Sequence, residues 1–396
     1  MNSVRAAVTL LAALTLTTAC GLPDKVMTPS SVDSQTIKIG AVSSLSGPAT
    51  FPDSTSAAQA VFDQINDSGG IGGRKIDYIV VDDKGDPAAT AQAARSLVTQ
   101  KHVVALAGSA SLLDCAINAH FYAKAGVSAI QGVGVDPTCF ESSAISPVNV
   151  GPYLSTAENL YYASEVLKLS RICLFIGIYG NTDEAYKKAV ESWSDLTGKK
   201  PLMEDRTIKA ESDPTPFVLR AKKERCQAAL YNGTEPSVIA MMKSAKQQNA
   251  TDIKWIMTSA AYTEALAKAL GKNGEGLYTN AEFEPFTRTD SPLLSDWRKL
   301  LIGKNVPLSS FSEGGYLAAK HIVEVLKSLD GPITRRSVTE ALKSLQPIES
   351  EMTGTAYEFG DATEHHSNTA GKIVQLRNGG WHVVSKDWIR YPGKID

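Results

Sequence analysis

The residues able to do chemistry fall in a few places. Gly69, Gly70, Gly72 and Gly73, and then Asp82, Asp83 and Asp86, stand within NDSGGIGGRKIDYIVVDDKGDPAATAQAA (66–94). Ser109 and Ser111 lie in AGSASLL, and His365 adjoins His366. A phosphate-cradling glycine loop runs from strand to loop to helix, whereas this one runs from helix to loop to strand, so it reads as a helix stop and turn. The three aspartates lack the twelve-residue spacing and terminal Glu of a calcium loop. They read as a solvated turn, with Pro87 opening the next helix. Ser109 and Ser111 sit between a strand end and a helix start, where free backbone N–H groups could hold a carboxylate; Ser111 as a plain helix cap is the alternative. The adjacent histidines have no thiol partners and read as a solvated loop rather than a metal site. With no G-x-S-x-G elbow and no H-E-x-x-H, the expectation is a protein that is not an enzyme and needs no cofactor.

The remaining reactive side chains are Cys20, Cys115, Cys139, Cys173 and Cys226. Residues 1–19 (MNSVRAAVTLLAALTLTTA) carry one charge, Arg5, and an apolar run of about eleven residues, too short for a bilayer, which needs about twenty. This is the pattern of a secretory signal. It stops at Cys20 in TTACG, which resembles a bacterial lipoprotein box with Thr17 where a large aliphatic residue is usual. Cys20 is therefore the expected lipidation site, holding the protein to the outer face of the membrane, and residues 20–36 are its tether. Four thiols remain in an exported chain, enough for two disulfides with three pairings open. Cys115–Cys139 and Cys173–Cys226 are expected, because each joins neighbouring elements; loops of about 25 and 54 residues would stabilise by roughly 3–4 kcal/mol each.

The elements that must position these groups alternate regularly. Strand-like runs at 37–42, 75–81, 103–108 and 127–132 are separated by helical patterns, the first of which (54–67) aligns Ala57, Ala58, Val61, Phe62 and Ile65 on one face. A second series follows at 172–178, 228–233, 253–259 and 275–280, with a break near 147–153. A helical segment fills about 290–345, clearest at 312–329, and strand-like pieces return at 372–378 and 381–386. Alternation of this kind implies parallel sheets with helices on both faces, and two series imply two lobes. The expected division is 37–152 with about 282–353, and 153–281 with about 354–396. The 396 residues carry 40 basic and 42 acidic side chains and are 43% hydrophobic. That balance excludes a disordered chain and gives nucleic acid no basic surface to meet.

In order and spacing, IGAVSSLSGP (39–48), the Gly and Asp stretch at 66–94 and GYLAAKHIVEVLKSL (315–329) resemble the type I periplasmic solute-binding proteins, in particular the branched-chain amino acid and amide binders of ABC importers. The resemblance implies an α/β fold of two Rossmann-like lobes with a hinged cleft between them. It also implies a monomer that captures a small solute and passes it to the permease subunits in the membrane; a ligand-sensing receptor domain is the alternative that the same fold allows. It places ligand contacts at 46–51, 108–112, 132–135, about 181–182, 231–235 and 259–262. The candidates are thus Phe51, Ser109, Ser111, Leu112, Val133, Gly134, Val135, Thr182, Tyr231, Thr234, Glu235 and Tyr262.

Amino acid binders of this family place a Thr for the carboxylate and an acid for the ammonium where this chain has Val135 and about Ala260. An ammonium buried without a counter-charge costs several kcal/mol, so α-amino acid binding needs Glu235 or Asp136 as a substitute. Phe51, Val133, Val135, Tyr231 and Tyr262 would make the cleft apolar, with Ser109, Ser111 and Thr234 left for hydrogen bonds. Such a lining suits a small acid with an aromatic or apolar body.

Overall fold

A computed structural model describes residues 36–47, 49–178, 180–209 and 211–395. The signal, Cys20 and the tether lie outside the described residues. The first sheet begins with β1 (Thr36–Ser43) and continues with β2 (Lys75–Asp82), β3 (Ala105–Ala110), β4 (Ala129–Val133) and β5 (Ile145–Pro147), all parallel in the order β2-β1-β3-β4-β5. The connecting helices are α1 (Pro52–Asp67), α2 (Pro87–Arg95), α3 (Asp114–Ala125) and the short α4 (Pro137–Phe140). The second sheet repeats that order with β6 (Ile172–Phe175), β7 (Met203–Asp205), β8 (Ala228–Tyr231), β9 (Lys254–Met257) and β10 (Tyr278–Ala281), giving β7-β6-β8-β9-β10. Its helices are α5 (Pro152–Tyr161), α6 (Asp183–Thr197), α7 (Thr215–Lys223), α8 (Glu235–Gln247) and α9 (Glu264–Leu270).

Local chemistry explains these boundaries. Pro52 occupies the first turn of α1, where its missing N–H costs nothing, and Ala57, Ala58, Val61 and Phe62 form the buried stripe. Gly69 and Gly70 then take positive φ (103° and 80°) and an Ile71–Arg74 bridge reverses the chain into β2, so the glycines are the expected helix stop and turn. Asp86 caps α2 by accepting from the Ala89 N–H at 2.8 Å, with Pro87 next to it.

After β10 the chain returns to the first sheet as α10 (Ser295–Gly303), α11 (Ser310–Lys327) and α12 (Arg335–Lys343). Helix α11 lies against α1, β3 and β4. Gly314 and Gly315 make that packing possible: a Cβ on Gly315 would sit 1.9 Å from the Ser54 carbonyl oxygen, and one on Gly314 2.2 Å from that of Gly132. The tail then rejoins the second sheet as β11 (Ala370–Arg377) and β12 (Gly380–Val383), antiparallel at its edge, with β13 (Ile389–Arg390) paired to β11.

Both expected disulfides are present. Cys115 of α3 joins Cys139 of α4 with Cα atoms 5.0 Å apart, and Cys173 of β6 joins Cys226 just before β8 at 5.9 Å. Three short strands, β5, β7 and β13, have too few residues to show a periodicity. The histidine loop departs from expectation. His365 is 4% exposed, and its Nδ1 lies 2.8 Å from the carbonyl oxygens of both Ser142 and Ile145, while exposed His366 stacks on Phe140. His365 thus fastens the tail beside β5, whereas His366 stays exposed as expected. Asp83, read as part of a solvated turn, is also fully buried.

Candidate functional site

In open α/β sheets, ligands meet the loops beyond the carboxyl ends of the strands, at the point where strand order reverses. In the first sheet that point lies between β1 and β3. The loop after β1 is held by one side chain. Asp82 Oδ1 accepts from the N–H groups of Leu45 (3.0 Å), Ser46 (3.2 Å) and Lys84 (2.9 Å), and Oδ2 accepts from Ser46 Oγ (2.6 Å). Burial alone would raise its carboxyl, but these bonds outweigh it and bring the pKa from the usual carboxylate range down to about 2.

Beyond this loop, α1 and α11 start side by side. Ser309 Oγ donates to Asp53 Oδ2 at 2.7 Å, and the Phe51 and Phe311 rings meet edge to face at 5.4 Å. Burial pushes the Asp53 carboxyl up, opposed by the Ser309 bond. Leu45 at the end of β1 and Leu112 at the end of β3 are 38% and 40% exposed, and Phe51 and Phe311 are partly exposed. Four large apolar side chains thus meet solvent along one sheet edge.

Other candidates on this edge turn inward. Ser109 is fully buried and its Oγ accepts from the Val42 N–H at 3.2 Å. Ser111 donates to Asp83 and accepts from the N–H groups of Leu113 and Asp114, both at 3.0 Å, so its hydroxyl is committed as a cap. Asp114 is buried as well and accepts from Tyr122, Asn118 and Gln131. Val133 is buried, Gly134 is bonded through both its N–H and its carbonyl to Asn149, and the carbonyl of half-buried Val135 accepts from Tyr153 OH at 3.0 Å.

On the second sheet, the Asn232 side chain bonds both polar groups of Gly177, accepting at 2.7 Å and donating at 3.0 Å, which ties the loops after β6 and β8 together. Thr182 is buried at the start of α6, and Thr234 is exposed at the start of α8. Glu235 accepts from the Thr263 hydroxyl. Tyr231 and Tyr262 are 2% and 1% exposed. A Cβ on Gly233 would meet the Tyr231 ring at 2.2 Å; Tyr262 bonds Thr287 at 2.8 Å and packs on Phe286 and Trp381. Both rings are core.

A crevice of about 250 Å³ lies among Pro137, Phe140 and Glu141 after β4, Tyr153 and Leu154 of α5, and Ala185 and Lys188 of α6, and does not include Leu45, Phe51, Leu112 or Phe311. Among the described residues no group of three His, Cys, Asp or Glu side chains could hold a metal ion, and no helix is long and apolar enough to cross a membrane.

The sequence matches the family model described as periplasmic binding protein over residues 36–380. The chain belongs to that family. A search of curated proteins found no match. Among solved structures, it is similar to the branched-chain amino acid transporter substrate binding protein LivJ from Streptococcus pneumoniae in complex with isoleucine, at 19% identity and a TM-score of 0.75, covering 88% of this chain and 99% of that one. It is similar also to a leucine binding protein, LivK, from Thermotoga maritima (14%, 0.73, covering 89% and 99%) and to a fatty acid ABC transporter substrate-binding protein from Thermomonospora curvata (19%, 0.74, covering 90% and 92%). Identities at this level show the shared fold. Leu45, Phe311 and the loop-holding role of Asp82 were not among the contacts expected from the sequence. Phe311 lay just ahead of the helix expected from 312, and nothing in the local sequence says that α11 starts beside α1.

Proposed function

We propose that the protein is an extracytoplasmic, monomeric solute-binding lipoprotein of an ABC importer, anchored through Cys20. It closes its two lobes, divided about as the sequence suggests, on a small organic solute and passes that solute to the membrane permease without transforming it. The proposed solute is an aromatic or aliphatic acid. The observation that carries this reading is the apolar edge formed by Leu45, Phe51, Leu112 and Phe311 in a position where α/β sheets take ligands.

Asp82 keeps its charge beside the loop after β1, which disfavours a carboxylate there; half-buried Lys188 of α6 and exposed Thr234 at the start of α8 are the proposed partners of the acid group. An α-amino acid is disfavoured because Asp136 is engaged in capping α4 and Glu235 in accepting from Thr263. Thermal unfolding against branched-chain amino acids, amides, aromatic acids and aliphatic acids tests the reading, since a solute that binds only the folded state raises the melting temperature. An acid with an apolar body should shift it, and Phe311→Ala should abolish the shift. A shift from leucine or valine alone would count against this choice of solute.

A further inference from the structure

Three segments carry the chain between the two sheets, at 148–151, 281–284 and 352–370, and Glu282 is bonded to two of the others. Its side chain accepts from the Gly151 N–H at 2.7 Å and from Asn149 Nδ2 at 3.3 Å, in the first segment. Its carbonyl accepts from Asn368 Nδ2 at 2.7 Å, in the third. The first and second segments are therefore tied through the Glu282 carboxylate, and the second and third through its backbone carbonyl.

Glu158 of α5 stands beside it. Its side chain is wholly buried and neither carboxylate oxygen has a hydrogen-bond partner. Its Oε2 overlies Gly371, where a Cβ would approach to 2.8 Å, so β11 covers it from the third segment. The neighbouring side chains from β10 and α5 are neutral: Asn280 donates to Ser155 and Asn159 donates to the Met257 carbonyl. From β11, Lys372 is committed to Glu284, which also takes Arg288. Among the described residues the charged group that acts on Glu158 is Glu282, and the two effects add: burial first and the Glu282 charge second push the Glu158 carboxyl well above the usual range. Burial raises Glu282 as well, opposed by its donors from Gly151, Asn149 and Ser259, which Glu158 lacks. Two unneutralised carboxylates cannot share such a site cheaply, and the proton belongs on the one without donors.

We propose that Glu158 is a proton-operated lock on the interlobe pivot: neutral, it leaves Glu282 free to knot the crossing segments, and ionised, it repels Glu282 and loosens them. A carboxyl whose folded pKa lies above its unfolded value contributes stability that is present at low pH and lost as the pH rises through the folded pKa. The knot therefore tightens in acid and loosens in base.

The test needs no solute, so its failure is separate from failure of the proposed function. Amide exchange at Gly151, corrected for the intrinsic effect of pH, is followed in the ligand-free protein from about pH 5 to about pH 9 in wild type and in Glu158→Gln. Protection of Gly151 in wild type should fall by up to about ten-fold for each pH unit between the open-state and folded pKa values of Glu158 and level off above the folded one, and stay within about two-fold in the variant. Glu158→Leu, neutral and apolar, guards against a misfolded glutamine variant and should be equally flat. Equal profiles in all three proteins would overturn the proposal. So would a wild-type profile that flattens on adding sodium or calcium chloride at matched ionic strength, since a cation rather than a proton would then neutralise the pair.

Discussion

Replacing Asp82 tests whether one carboxylate shapes the solute-facing loop. In Asp82→Asn the three backbone bonds can persist, because Oδ1 still accepts from the N–H groups of Leu45, Ser46 and Lys84, but the charge is gone and the amide nitrogen in place of Oδ2 cannot accept from the Ser46 hydroxyl. The carboxyl sits at about 2 against an ordinary 3.8. At full value a shift of that size is worth about 2.5 kcal/mol. Its side chain is partly solvated, and screening reduces the expected loss to about 1–2 kcal/mol. The sign follows from the depressed pKa: this stability is present above the unfolded value near 4 and is lost as the pH falls toward 2. Urea unfolding of wild type and variant should therefore show a gap at neutral pH that closes between about pH 4 and about pH 2. Absence of a gap at neutral pH refutes the charge argument. A gap that persists undiminished at about pH 2 refutes it as well, because it would mark lost packing.

Other outcomes follow from the packing and the covalent ties. Gly315→Ala puts a methyl group against a backbone oxygen that no rotamer can move, so urea unfolding should show a loss of about 3 kcal/mol or more. Replacing Cys173 and Cys226 together by Ala should cost about 4 kcal/mol by the chain-entropy model, read by the same method. Burial holds His365 below its usual pKa, opposed by the carbonyls of Ser142 and Ile145, so the neutral ring's contribution is present above about pH 6.5 and is lost as the pH falls. His365→Gln, which keeps a donor, should flatten the decline in stability between about pH 6.5 and about pH 5.

Much of this architecture was legible in the chain. β1, β2, β6 and β8 to β10 are runs of β-branched and apolar residues long enough to declare themselves, and the alternation with amphipathic helices fixed two parallel sheets. The disulfides followed from proximity within each series. The site was less legible, because what faces solvent depends on partners distant in sequence. Tyr231 and Tyr262 look like ligand-stacking aromatics until Ser237, Thr287, Phe286 and Trp381 are seen to enclose them. Ser111 looks free until Asp83 is found beside it. Phe311 looks unremarkable until α11 lies against α1, which depends on Gly314 and Gly315. His365 looked solvated because nothing local reveals the carbonyls that it meets across more than 200 residues of chain.

The most direct test of the account is calorimetric titration of the folded, ligand-free protein with matched solutes: an aromatic or aliphatic acid, the corresponding amide, and the corresponding α-amino acid. Binding should be tightest for the acid, lost in Phe51→Ala and Phe311→Ala, and weakened when Lys188 is replaced by Ala. Equal binding by both phenylalanine variants, or no heat with any member of the series, would contradict the claim that this apolar edge receives the solute.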